Sequence, residues 1–190
     1  MTHTFKGVTL ALLLTFVWNM PASAADDSRA QAMQQLAGSM LKDIGQTTWI
    51  SEGKGPHVIY IFFDPNCPYC HKLYVNTRSR VEAGKVELRW IPVGVLTTTS
   101  AGKAVAILGA KDPRQAFYKN EDHYEHGGGI EEDIPTPAVE KKLKANEALL
   151  ARTGFGGVPV MLFRGKDDTP LLIQGMPPED KLEAIFNYVK

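Results

Sequence analysis

The chain has 190 residues, 44% of them apolar, with 12 Pro, 17 Gly and 2 Cys. Lys+Arg and Asp+Glu each total 21, so the formal net charge is zero. This composition excludes a disordered chain, a collagen-like repeat and a miniprotein held by several disulfides, and the balanced charge argues against a dedicated nucleic-acid binder.

Residues 1–24 read as a leader. Lys6 is followed by the apolar run Val8–Trp18 and then by Ala22-Ser23-Ala24. A basic start, a short apolar run and an A-x-A site make a Sec-type secretory signal peptide, with cleavage expected after Ala24. The run is too short for a membrane anchor, which takes about 20 apolar residues. Residues 25–190 are therefore expected to be exported to an oxidising compartment.

Asp26 to Ile44 is predicted to be a helix, because Ala30, Met33, Ala37, Met40 and Ile44 recur at steps of three and four. Asp26 and Asp27 stand where a cap and favourable first-turn charge are expected. This linker-like segment, 25–45, either lies on the domain that follows or pairs with a second copy.

The domain proper spans 46–190. His57–Phe63 is a continuous apolar, β-branched and aromatic run, the pattern of a strand buried on both faces. Asp64-Pro65-Asn66 halts it. A helix then starts at Cys67, with Pro68 in its first turn, and Gly84 ends it. Val86–Val95 is the next strand, completing a βαβ unit with parallel pairing. From about 97 to 157 strand signals disappear. Ala101–Ala110, Asp112–Tyr124 and Thr136–Thr153 read as helices, and Asp112-Pro113 and Thr136-Pro137 each supply a cap followed by proline. The acidic cluster Glu121, Asp122, Glu125, Glu131, Glu132 and Asp133 is expected on a solvated surface. Val158–Phe163 and Pro170–Gln174 form a hairpin around the turn 165–168, and Glu179–Val189 is the last helix.

Cys67 and Cys70 carry the chemistry. A domain of this size buries about 70% of its unfolded-chain surface and needs no covalent staple. A bridge across two residues would in any case restrict the unfolded chain little. Structural zinc lacks a second C-x-x-C to complete its ligands, so no metal is expected. A C-x-x-C at the strand-to-helix turn of a βαβ unit points to an α/β thioredoxin fold, β-α-β followed by β-β-α, with an all-helical insertion between its halves. At the amino end of its helix, Cys67 is favoured as a thiolate. A thiol of pKa 8.5 is only about 3% thiolate at neutral pH, whereas one of pKa 5 is about 99%. Cys67 is thus expected to be the accessible nucleophile and Cys70, one turn inward, the protected resolving thiol. Cys67-Pro68-Tyr69-Cys70-His71 also fits C-x-x-C-H, the attachment pattern of c-type haem. That alternative lacks a candidate second axial ligand in a recognisable context and must explain the buried strand before the motif. The redox reading needs no cofactor. Gly156-Gly157-Val158-Pro159 opens the later strand, where the thioredoxin fold places a cis-proline facing the C-x-x-C.

Thr48-Trp49-Ile50, Val58–Cys70, Gly84–Arg89 and Lys111-Asp112-Pro113 resemble the DsbC/DsbG family of periplasmic disulfide isomerases and reductases. The resemblance covers roughly 46–190, and the Cys-Pro-Tyr-Cys centre matches the DsbG branch. It implies a periplasmic thiol–disulfide oxidoreductase of a Gram-negative bacterium, with Cys67 as nucleophile, Cys70 as resolving partner and Pro159 as the cis-proline. Pro68, Tyr69, His71 and Val158 would shape the site. The partners implied are exported proteins with disulfides or oxidised cysteines and a membrane DsbD-like reductase. A chaperone-like binding module with minor redox activity is the other alternative. Two departures stand out. The family's amino-terminal dimerisation domain has no counterpart in residues 25–45, so a monomer or a weak dimer through the 26–44 helix, with poor isomerase activity, is expected. The family's threonine before the cis-proline is Val158 here. Thioredoxins and DsbA also place an acid six residues before the first cysteine; Ile61 holds that position, so a buried carboxylate is expected to be absent there.

Overall fold

The computed structural model describes residues 22–126 and 129–190; of the leader expected over residues 1–24, residues 1–21 lie outside them. Five strands form one sheet in the order β1-β3-β2-β4-β5. The central strand β2 (His57–Phe63) runs parallel to β3 (Val86–Pro92). Both are joined by α2 (Pro68–Glu82), which makes the expected βαβ unit. On its other side β2 pairs antiparallel with β4 (Val160–Arg164), which forms the hairpin with β5 (Pro170–Gln174). With neighbours on both sides, Ile59, Ile61 and Phe62 are fully buried, as the unbroken apolar run of β2 requires.

β3 is shorter than the predicted Val86–Val95, although Val93 N–H adds one more rung to Phe63 C=O at 2.9 Å. β1 (Ile50–Gly53), antiparallel to β3 at the sheet edge, has no strand signal in the sequence. It is four residues long, and its inward positions are Ile50 and a glutamate, Glu52. A charged residue at an inward position hides the alternation that marks a half-buried strand.

Local chemistry sets the helix ends. α2 closes in a Schellman motif: Gly84 at φ +66° lets Lys85 N–H reach Arg80 C=O at 3.0 Å and Gly84 N–H reach Val81 C=O at 3.0 Å. In the insertion, α4 (Pro113–Asp122) is capped by the Asp112 carboxylate, which accepts from Arg114 N–H and Gln115 N–H. The Thr136 hydroxyl caps α5 (Pro137–Ala151). α3 (Ser100–Gly109) precedes both, and α6 (Glu179–Tyr188) ends the fold.

The first helix, α1, runs Ala22–Asp43 rather than from Asp26. Asp26 and Asp27 therefore stand in its second turn and do not cap it. Its stripe is spent within the chain: Ala37 and Met40 are fully buried against the β4–β5 hairpin, whereas Ala30 is exposed. Gly38 faces the hairpin there, where a Cβ would meet the Pro170 ring at 3.4 Å, an ordinary contact.

Two contacts lock the insertion to the sheet. Phe117 of α4, fully buried, packs edge-on against Phe63 at 5.2 Å and tilted by 33° against Trp90 at 5.2 Å between ring centroids. On α5, the fully buried Asn146 accepts from Thr48 N–H (2.8 Å) and donates to Thr48 C=O (3.0 Å) and Pro92 C=O (2.8 Å). Asn146→Ala strands these backbone groups, each costly to leave unmade, and is expected to lower the unfolding free energy by about 2–3 kcal/mol. The chemical-denaturation midpoint checks this.

Candidate active site

The end of β2 and the start of α2 build the site. Asp64, almost fully buried, follows the strand. Its Oδ1 accepts from Asn66 N–H (2.9 Å) and Ser100 Oγ (2.7 Å), and its Oδ2 from Val95 N–H (2.8 Å) and Leu96 N–H (2.9 Å). Four donors satisfy the carboxylate and tie the strand-to-helix turn to the loop entering α3. The Asn66 side chain reinforces this tie through Thr97 Oγ1 (2.8 Å) and Thr99 Oγ1 (2.9 Å). Cys67 is then the N-cap of α2, with Pro68 at its first position.

At the cap, Cys67 Sγ accepts the Cys70 N–H at 3.1 Å. Hydrogen bonding from Cys70 lowers the Cys67 thiol pKa. Burial opposes this, and the Cys70 and Tyr69 N–H groups add to the lowering. Burial drives the Cys70 pKa well up, and its bond to Cys67 pushes the same way. The asymmetry matches the expected order of roles in chemistry but not in exposure. Cys67 is only 2% exposed and Cys70 1%, so the expectation of an accessible Cys67 is not met in this free dithiol state. The loop before β4 covers Cys67: its Sγ lies 3.5 Å from Val158 C=O, and the Val158–Pro159 bond is cis. Attack on a disulfide from this position requires the covering loop to move aside. Around it the surface is apolar, with Tyr69 61%, Val95 44%, Leu96 40% and Phe155 36% exposed.

One residue of the acidic cluster departs from the expected solvated face. Glu131, Glu132 and Asp133 are exposed, but Glu121 of α4 is 2% exposed and turned toward the cysteines. Its Oε1 accepts from Asn120 Nδ2 (3.0 Å), and its Oε2 lies 3.2 Å from His71 Nδ1. Asn120 Nδ2 also donates to Pro65 C=O (3.0 Å), two residues before Cys67. The His71 ring stacks on Tyr124 at 4.5 Å between centroids and places its other nitrogen 3.5 Å from Glu125. Both ring nitrogens of the residue that a haem would need therefore face carboxylates. Position 61 is a buried isoleucine, as read from the sequence. Besides Asp64, a second buried carboxylate, Glu121, reaches this site from the insertion.

The thioredoxin-like domain model matches residues 46–190. The thiol:disulfide interchange protein DsbG of Pseudomonas aeruginosa is 36% identical over 157 residues, covering 80% of this chain and 60% of that protein. DsbG of Escherichia coli is 32% identical, covering 77% and 60%. The chain thus spans about 60% of the length of these curated relatives. Among solved structures, the catalytic domain of Proteus mirabilis ScsC superposes with a TM-score of 0.63 at 21% identity, covering 82% of this chain and 97% of that domain. α-DsbA2 of Wolbachia pipientis gives 0.64 at 14% identity, covering 84% and 97%.

Proposed function

The chain belongs to the thioredoxin-like domain family, and on that footing we propose that it is a thiol–disulfide oxidoreductase of the periplasm acting on exported proteins through Cys67 and Cys70. The observation that carries this reading is the Cys67 sulfur at the N-cap of α2, accepting the Cys70 N–H at 3.1 Å. A helix N-terminus and a hydrogen bond to sulfur both favour the thiolate, which is the species that attacks a disulfide. Cys67 attacks one sulfur of a substrate disulfide, a mixed disulfide forms, and the other substrate sulfur leaves as a thiolate. Cys70 then attacks Cys67 Sγ and frees the second substrate thiol. The substrate gains two electrons and the enzyme ends with a Cys67–Cys70 disulfide.

Polypeptides fit the surroundings. The apolar rim of Tyr69, Val95, Leu96 and Phe155 offers contact to an unfolded segment, and Val158 C=O lies beside the sulfur. Pro68 presets the first turn of α2, and Pro159 follows Val158 in the loop over Cys67. Turnover as a reductase requires a dithiol donor, which we assign to a membrane reductase of the DsbD type. Likeness to DsbG supports this and the periplasmic location.

Alkylation of the reduced protein across pH, with each cysteine followed by mass spectrometry, tests the assignment. Cys67 is expected to react first and to keep reacting below pH 7, where an ordinary thiol of pKa about 8.5 has little thiolate left. Cys70 should stay unmodified. Preferential modification of Cys70 at acid pH would reverse the roles.

A further inference from the structure

We propose that Glu121 is the third ionisable group of the redox centre, holding a proton while Cys67 is a thiolate and releasing it when Cys67 enters a disulfide. This rests on the reading of Cys67 and Cys70 as the redox pair. The insertion delivers the carboxyl to the cysteine turn and fixes it from both flanks. Through Asn120 it is tied to Pro65 C=O, just before Cys67, and through Oε2 it meets the ring of His71, just after Cys70. Its two polar contacts are an amide N–H and an imidazole nitrogen, and the proton between Oε2 and Nδ1 can sit on either atom.

Two negative charges in one water-excluded site oppose each other, so the site favours one of them at a time. Burial, reinforced by the Cys67 charge, pushes the Glu121 pKa up to about 8. The other charged groups facing it are Glu52 of β1, which acts in the same direction, and Arg78 of α2, which acts against it. Cys70 feels the same carboxyl, which raises its pKa further, and Glu125 reaches it only across the His71 ring.

The proton count then closes. The reduced centre holds one proton on Cys70 and one on Glu121, with the negative charge on Cys67. When Cys67 attacks, the first substrate sulfur leaves as a thiolate, and the Cys67 charge that added to burial in opposing ionisation of Glu121 is gone. Glu121 gives up its proton, which ends on that leaving thiol. Cys70 loses its own proton as it attacks Cys67, and the second substrate sulfur gains one. The products are two substrate thiols, one enzyme disulfide and an ionised Glu121, with two electrons passed to the substrate.

Glu121 is thus a positioning residue for protons, and its signature is proton uptake on reduction. The test is the reduction potential of wild type and Glu121→Gln against glutathione buffers from about pH 5 to about pH 9. Near neutral pH the wild type is expected to take up one proton more per electron pair than Glu121→Gln; equal uptake overturns the proposal. A purely structural role would move the potential without changing that proton count. The infrared difference spectrum of reduced minus oxidised wild type decides independently of whether the variant folds. A protonated-carboxyl carbonyl band gained on reduction is expected, and its absence overturns the proposal. A wild-type protein with no disulfide exchangeable with glutathione would instead refute the redox reading itself, and this proposal with it.

Discussion

Cys67→Ser is expected to abolish disulfide exchange, lowering the rate by about a thousandfold or more, whereas Cys70→Ser should still attack and then stall. The difference follows from the two sulfur environments. Cys67 caps α2 and accepts a hydrogen bond from Cys70 N–H, so it is expected to carry the reactive charge. Serine at that position cannot form an anion near neutral pH and has no sulfur to share with the substrate. Cys70 is buried and its pKa is pushed up, so it is a poor nucleophile toward outside molecules. It lies one helical turn from Cys67, however, and needs only to reach that sulfur. Without it the mixed disulfide has no internal exit and accumulates. Non-reducing electrophoresis of each variant with a disulfide-containing polypeptide should show a trapped adduct for Cys70→Ser and none for Cys67→Ser. An adduct formed by Cys67→Ser would contradict the assignment.

Arg78→Met should cost about 3–5 kcal/mol of stability, because it leaves Glu52 as an unpaired charge in the interior. Glu52, on β1, is fully buried, and the guanidinium of Arg78 on α2 grips both of its oxygens. Trp90 Nε1 donates to it at 2.9 Å, and the same guanidinium lies 3.7 Å above the Tyr74 ring. Methionine restores most of the aliphatic volume, but one indole N–H cannot compensate a desolvated carboxylate. Adding Glu52→Gln to Arg78→Met removes the stranded charge and should recover most of the loss. Equilibrium denaturation of the single and double variants measures both effects. A single-variant loss under about 1 kcal/mol would mean that water reaches Glu52 once the arginine is gone.

The Cys67–Cys70 turn that we propose as the redox centre was legible in the sequence because local rules govern it. An unbroken apolar run can only be a strand covered on both faces, a Cys-Pro pair after it starts a helix, and a cysteine at that start is favoured as an anion. The same locality made the caps at Asp112 and Thr136 and the stop at Gly84 readable, since a cap satisfies backbone groups within three or four residues of itself. Glu121 and Glu52 were not legible. In sequence each looks like one more surface acid, and burial of a charge depends on a partner that only folding supplies. For Glu121 that partner is His71, 50 positions away, and for Glu52 it is Arg78, 26 positions away. The stripe of α1 was readable as a stripe, but the sheet face that receives it was not. The sequence by itself determined which sulfur stands at the start of α2. Only the tertiary structure decided which carboxyl shares its site, because opposition between two buried charges is set by distance and the exclusion of water.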